Sequence, residues 1–225
     1  MKYWLTNTLP ILGALLLSLP LSANAFIYSA EAIEGWVVDA DTGKPLDGVV
    51  VVAHWQLKGG FEGGNPAGEL KILEAVTDKN GRYSFPAWGP KFALMGHLKS
   101  ESPEILMFKR GYKFQYLNNS WYSGMDTSKS VWNGKTVKVD RFRSSLQAYS
   151  DDLWSLTSTL WIAGYTSGDR CAWKAFPNML RELEELETEF RRGGVVRSTI
   201  VSMLRANDSQ LKAAGCGSVD DLIKR

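Results

Sequence analysis

The sequence predicts an α+β protein: a seven-stranded antiparallel β-sandwich at residues 34–140, followed by a helical region at residues 141–225. Two observations support this division. In the first part, short runs rich in valine and aromatic residues alternate with turn-forming glycine, proline, aspartate and asparagine. In the second part, apolar residues recur every three or four positions, as they do on one face of a helix.

Seven segments of the first part are predicted to be strands. They are residues 36–38, 49–55, 70–76, 82–85, 105–108, 113–117 and 136–139. Because residues 49–52 are all valine, that strand is apolar on both faces and is predicted to be central. Two insertions, residues 58–69 and 86–103, are rich in glycine or proline and are predicted to be long loops.

Three apolar stripes predict helices in the second part, at residues 142–160, 176–190 and 196–204. Pro177 stands near the start of the second stripe, and Gly193 and Gly194 follow its end, as is typical of helix boundaries. Ser218 and Asp221 have the spacing of a capping box for a final helical turn. We expect these helices to pack on each other or on the sandwich.

The β region contains three motifs that identify a family resemblance. They read GWVVDADTGKPLDGVVVV at residues 35–52, VTDKNGRYSF at residues 76–85, and Gly111-Tyr112. Together they resemble the carboxypeptidase regulatory-like family, which has the transthyretin-like fold, and the similarity covers residues 34–116. The resemblance implies a β-sandwich. It implies no activity, because such modules are mostly non-catalytic.

Residues 1–25 have the organisation of a secretory signal peptide: Lys2, an apolar stretch from Leu9 to Leu21, and small residues up to Ala25. This predicts cleavage between Ala25 and Phe26 and a periplasmic or secreted protein. The apolar stretch is shorter than the roughly 20 residues that span a bilayer. No later stretch is long and apolar enough, so no membrane span is predicted in the mature chain.

The chain has two cysteines, Cys171 and Cys216. In an oxidising compartment a single pair predicts one disulfide, here between the end of the first helix and the last helix. Two unlinked buried thiols are the alternative, and a catalytic dithiol is less well supported because the sequence has no C-x-x-C motif. The net charge of +2 gives no electrostatic basis for binding nucleic acid.

Residues that could support catalysis or metal binding are few. His54 and His97 are the only histidines, whereas a catalytic zinc needs three protein ligands, and the sequence has no H-E-x-x-H. We interpret His54 as a hydrogen-bonded structural histidine within a strand. No G-x-S-x-G is present. Asp39 and Asp78 resemble the start of calcium loops but lack the glutamate at position twelve, so Asx-turns are predicted. No catalytic residue, metal or cofactor is predicted.

Tryptophan is abundant, and most of it is expected in the core. Trp88, Trp121, Tyr122 and Trp132 fall in predicted loops or turns and are candidates for an exposed aromatic surface. Exposed aromatic side chains on a β-sandwich can stack on sugar rings. Core packing is the alternative for these residues too.

These observations predict an exported, non-catalytic accessory or binding protein of the cell envelope or extracellular space. Its partner would be a protein or a polysaccharide, bound through the long loops and one face of the sandwich. Two alternatives remain: a carbohydrate-binding module that uses the exposed aromatic residues, and a metal- or histidine-dependent enzyme that uses His54, His97 and nearby carboxylates.

Overall fold

The computed structural model describes residues 26–59, 65–93, 96–119, 127–166 and 168–224. Strands precede helices along this part of the chain, which confirms the α+β prediction. The strands are β1 (Phe26–Ala30), β2 (Ile33–Asp39), β3 (Val50–Gly59), β4 (Asn65–Val76), β5 (Arg82–Phe85), β6 (Trp88–Ala93), β7 (His97–Leu98), β8 (Glu104–Phe108), β9 (Gln115–Leu117), β10 (Thr127–Ser128) and β11 (Lys135–Val139).

The helices follow from Leu146 onward. They are α1 (Leu146–Asp152), α2 (Trp154–Trp161), a π-helix (Ile162–Thr166), a 3₁₀ helix (Ala172–Ala175), α3 (Pro177–Arg192), α4 (Ile200–Ala206), α5 (Asp208–Ala213) and α6 (Val219–Ile223). Among the described residues no helix has the length and apolar character needed to cross a bilayer.

Each of the seven predicted strand segments overlaps an observed strand, although segments 49–55 and 113–117 begin one and two residues too early, and the described residues form eleven strands and not seven. The strands occur in three sheets, ordered β4-β3-β8-β9 with β7 paired to the end of β3, β11-β2-β5, and β10-β1-β6. The prediction of a wholly antiparallel arrangement is wrong, because β11 runs parallel to β2 and β10 runs parallel to β1.

Both predicted long loops contain regular structure. β3 continues to Gly59 and β4 begins at Asn65, so most of residues 58–69 belongs to a paired hairpin. The glycine content aids this pairing, since a Cβ at Gly59 would lie 2.9 Å from the Ala67 Cβ. The second insertion contains β6 and β7, which pair with β1 and β3.

Strand β3 is central, as predicted, and its two faces belong to two different hydrophobic cores. Val51 and Ala53 face the inter-sheet core, which we define as the buried residues between the sheets. Val50 and Val52 face the helix-side core, which the helices share with the opposite face of the same sheet. The helices therefore form a third layer on the sheet.

Local signals explain the helix boundaries. The Ser145 side chain accepts a hydrogen bond from the Ala148 N–H at the start of α1. Pro177 occupies the first turn of α3 and Gly193 is its C-cap, as predicted. The first predicted helix is divided at Leu153 and continues into the π-helix. Val196, predicted within the third helix, is 98% exposed and precedes α4, which begins after the capping residue Thr199.

Two links fasten the helical layer. The disulfide between Cys171 and Cys216 is present, and it joins the segment before the 3₁₀ helix to the segment before α6. Glu74 of β4 caps α3, because its carboxylate accepts hydrogen bonds from the backbone N–H groups of Asn178 at 3.0 Å and Met179 at 2.8 Å. Ser218, the first residue of the predicted capping box, is the N-cap of α6, and its side chain accepts a hydrogen bond from the Asp220 N–H.

Candidate functional site: a polar cavity between the sheet and the second helix

The helix-facing side of β3 changes from apolar to polar along the strand. Val50 and Val52 pack in the helix-side core, and His54 and Gln56 are the next residues on the same face. His54 pairs with Ile72 of β4 and with Glu104 of β8, so a carboxylate lies next to it on the neighbouring strand. The polar cluster thus begins where the valines end.

His54 lies between two carboxylates. Its Nδ1 is 3.3 Å from Glu69 Oε2 and its Nε2 is 3.1 Å from Glu104 Oε2; the second is an ion-pair contact outside hydrogen-bond alignment. All three side chains are at most 3% exposed. Burial lowers the pKa of His54, but the two carboxylates outweigh burial and raise its pKa to about 9. His54 is therefore an imidazolium at neutral pH.

Three further polar side chains surround this Glu–His–Glu cluster, as we call His54, Glu69 and Glu104. The Lys99 ammonium contacts Glu104 Oε1, and the Gln56 amide donates to Glu69 Oε1 at 3.4 Å. Burial raises the pKa of Glu104, but the contact with the charged His54 ring and the hydrogen bonds from Lys99 and Tyr116 hold it well below its usual value. Burial, reinforced by the bond to Glu104, raises the pKa of Tyr116.

A cavity of about 170 Å³ adjoins the cluster at one edge of the contact between the sheet and the helical layer. Its lining combines sheet and helix residues: His54, Gln56, Lys99, Glu104, Tyr116, Thr159 and Ile162. Tyr116 and Ile162 are each 40% exposed, so the cavity opens to solvent between β9 and the start of the π-helix. π-Helical turns frequently occur at functional sites.

The helical wall of the cavity has a composition that sequence reasoning missed. Residues 153–166 contain no Asp, Glu, Lys or Arg, although Trp154, Ser155 and Ile162 are exposed. Its surface presents Trp154, which is 49% exposed, and the hydroxyl side chains of Ser155, Ser158 and Thr159. The charge-free run was visible in the sequence, whereas its position beside His54 depends on the tertiary fold.

Two of the four residues of the predicted aromatic surface, Trp88 and Trp132, lie in the described part of the chain, and both are half-buried. Trp88 lies in β6, half-buried, with its ring 5.2 Å from Trp55 in an edge-on contact, so packing against the inter-sheet core explains it. Trp132 also packs against that core, and its indole N–H donates to the Asn118 carbonyl at 2.9 Å. Trp121 and Tyr122 lie outside the described residues, as does Ala25.

The structure does not bring the two histidines together. His97 is exposed and pairs with Lys58, four residues beyond His54 along β3, which separates the two positions by roughly 13 Å. Among the described residues, no group of three or more histidine, cysteine, aspartate or glutamate side chains is arranged to hold a metal ion.

A second buried carboxylate, Asp39, has a local structural role. Its Oδ1 accepts hydrogen bonds from the backbone N–H groups of Asp41 and Thr42, which confirms the predicted Asx-turn. Its Oδ2 accepts from the Tyr112 hydroxyl at 2.9 Å and from Arg141 Nε at 2.8 Å. Two of the three motifs that carry the family resemblance therefore meet at this carboxylate.

Asp78 forms the other predicted turn. Its Oδ1 accepts hydrogen bonds from the backbone N–H groups of Asn80 at 2.9 Å and Arg82 at 3.0 Å. Both segments that resemble calcium loops are thus Asx-turns between strands.

Comparisons with known proteins name no family for this chain. No family model matches it, and no curated protein matches it. Similar solved structures include 3-chlorocatechol 1,2-dioxygenase from Rhodococcus opacus, which is 15% identical over 51% of this chain and 61% of that one, with a TM-score of 0.29. Catechol 1,2-dioxygenase from Pseudomonas arvilla is 13% identical over 52% of this chain and 54% of its own, with a TM-score of 0.30.

A 9R-lipoxygenase from Cyanothece is 14% identical over 92% of this chain and 28% of its own, with a TM-score of 0.28. The chain thus spans little more than half the length of the dioxygenases and less than a third of the lipoxygenase. These TM-scores are all below 0.5, so the similarities carry no argument about the function of this chain.

Proposed function

We propose that this protein is an exported, non-catalytic binding protein of the carboxypeptidase regulatory-like family, acting in the periplasm or outside the cell. The motifs at residues 35–52, 76–85 and 111–112 support the family, and residues 1–25 support export. The disulfide between Cys171 and Cys216 fits an oxidising compartment. The binding site in this proposal is the cavity beside the Glu–His–Glu cluster.

The observation that carries the proposal is the arrangement around His54. Catalysis by a histidine base requires a neutral imidazole with one nitrogen directed at the substrate. Here each ring nitrogen faces a carboxylate, and the raised pKa keeps the ring protonated. Lys99 and Tyr116 are both engaged with Glu104. The cluster therefore forms a rigid polar wall of the cavity, and such a wall suits ligand binding better than proton transfer.

Two matched substitutions on α2 test the proposal. Ser158 and Thr159 are neighbours whose hydroxyls each donate to the carbonyl four residues earlier, at 2.9 Å, but only Thr159 lines the cavity. Thr159→Phe fills the cavity, whereas Ser158→Phe adds the same ring to the helix surface. The mature chain and both variants would be immobilised and exposed to an envelope extract.

We expect one envelope component to be retained by the mature chain and by Ser158→Phe, and to be lost with Thr159→Phe. Equal retention by all three proteins would show that the cavity is not the binding site. If the retained component were chemically altered by the mature chain and left intact by Thr159→Phe, the non-catalytic part of the proposal would be wrong.

A further inference from the structure

The cavity has the chemistry of a subsite for a single sugar ring. We propose that it binds one uncharged pyranose unit of an oligosaccharide, an inference that rests on the proposed binding function. The argument uses the charge of the lining residues, their hydrogen-bonding groups, the size of the space and its partly apolar mouth. In this proposal the sugar-binding residues are those of the cavity, and not Trp88 or Trp132.

Charge is the first criterion. The groups around the cavity comprise two cations, His54 and Lys99, and two carboxylates, Glu69 and Glu104, in mutual contact. An anionic or cationic ligand would have to separate these pairs, because no charge of either sign is in excess. A neutral ligand leaves the ion pairs in place. The charge-free run at residues 153–166 extends this neutral surface along the helical wall.

Hydrogen-bonding capacity is the second criterion. Sugar hydroxyls both donate and accept, so they need a wall that offers both functions. The lining supplies an amide from Gln56, an ammonium from Lys99, a phenol from Tyr116 and a hydroxyl from Thr159. The Thr159 hydroxyl donates to the Ser155 carbonyl, and its oxygen retains the capacity to accept.

Size and shape are the third criterion. The cavity of about 170 Å³ has room for several waters, which is the scale of one sugar ring. It is smaller than the pockets of about 300–1,000 Å³ that hold drug-sized ligands. The mouth is formed by the Tyr116 ring and by Ile162, against which the C–H face of a pyranose can pack. The remaining sugar units would extend into solvent.

A second copy of this chain and a protein partner are less well matched to this site. Two large apolar side chains, Tyr116 and Ile162, form the mouth, and each is 40% exposed. This apolar area is small, whereas a stable protein interface buries about 800 Å² on each partner. A narrow polar cavity with a small apolar mouth fits a single ring.

Calorimetric titration of the mature chain with cellohexaose, maltohexaose and hexa-N-acetylchitohexaose tests the inference. We expect at least one of these neutral hexaoses to bind with a one-to-one stoichiometry. Gln56→Leu removes an amide from the cavity wall. We expect the dissociation constant to rise about tenfold, because the loss of one hydrogen bond to a buried ligand weakens binding by about that factor. Thr159→Phe should abolish it.

The matched control is Gln115→Leu, the same change on β9, where the amide donates to the Lys113 carbonyl outside the cavity. We expect this variant to bind as the unmodified chain does, and thermal unfolding of all variants would verify that they are folded. Binding that survives in both Gln56→Leu and Thr159→Phe would place the sugar elsewhere and overturn the inference.

The absence of binding by all three hexaoses at about 10 mM, where even a millimolar affinity would register, would also overturn it. The capture experiment separates the two proposals. If no hexaose binds but an envelope component is still lost with Thr159→Phe, the sugar inference fails and the binding function stands. If neither experiment shows a ligand, both fail.

Discussion

The two faces of β3 differ in a way that accounts for both the stability and the candidate site of this protein. On the inter-sheet face, Val51, Ala53, Trp55 and Leu57 are all buried among apolar side chains. On the helix-side face, the apolar residues end after Val52, and the next positions carry charge or amide groups. One strand can thus be apolar along the whole of one face, while the apolar core on its other face gives way to a polar cavity.

The largest expected effect is that of removing the imidazolium. His54→Leu leaves Glu69 and Glu104 buried without their shared cation, and breaking a buried ion pair in this way costs about 3–5 kcal/mol. The free energy of unfolding would be measured by urea denaturation. His97→Leu is the matched control, because His97 is exposed and its loss should change stability by less than about 0.5 kcal/mol. Equal effects of the two changes would contradict the proposed role of the cluster.

The pH dependence of stability sharpens the same comparison. The pKa of His54 is raised to about 9 in the folded protein, whereas an unfolded histidine titrates near its ordinary value of 6.5. Between these values the folded state binds the extra proton, so its stabilisation is complete below pH 6.5 and is lost as the pH rises through about 9. The slope should approach about −1.4 kcal/mol per pH unit in that window.

Urea denaturation at a series of pH values from 6 to 10 would measure this slope. His54→Leu should remove that component of the pH dependence, because the titrating group is absent. An unchanged slope in the variant would show that another group causes it.

A smaller effect tests whether both faces of β3 belong to one cooperative unit. Val51 and Val52 are adjacent and almost fully buried, at 0% and 1% exposure, but they face different cores. Replacing either by alanine should cost a similar amount, about 1.5–3 kcal/mol, because each removes buried apolar surface. Both variants should unfold in a single transition. A second transition in Val52→Ala would mean that the helical layer unfolds on its own.

The smallest expected effect concerns the attachment of α3 to the helix-side face. Glu74→Ala removes the carboxylate that accepts from the Asn178 and Met179 N–H groups, and the loss of such a cap costs about 0.5–2 kcal/mol. Glu31→Ala is the control, because Glu31 forms an ion pair with Lys129 in which both side chains are at least half exposed. Thermal unfolding would compare them. Equal decreases in the melting temperature of the two variants would argue against capping of α3 as the reason for the lost stability.

Local signals in the sequence predicted much of the architecture. The valine run at residues 49–52 identified the central strand, and Pro177 with Gly193 set the bounds of α3. The cysteine pair predicted the disulfide. These three predictions succeeded because each depends on a few neighbouring residues, or on a single pair of cysteines.

The remaining features depend on long-range contacts. His54 meets carboxylates 15 and 50 residues away along the chain, and strand pairing alone brings them together. The strands at residues 88–93 and 97–98 form on the edges of other strands, in a segment whose proline and glycine content indicates loops. The sequence leaves Trp88 open between the surface and the core for the same reason, since its packing depends on Trp55 from a different sheet.

The disulfide also changes what a single backbone break can do. Cys171 and Cys216 enclose α3, α4 and α5, together with the connecting segment in which Val196 is almost fully exposed. A protease that cuts this connection would produce two chain ends but no separate fragments, since the disulfide still joins both sides. The nicked protein would run as one species on a gel without reductant and as two with it. The helical layer is thus held in place even after the chain that forms it has been cut.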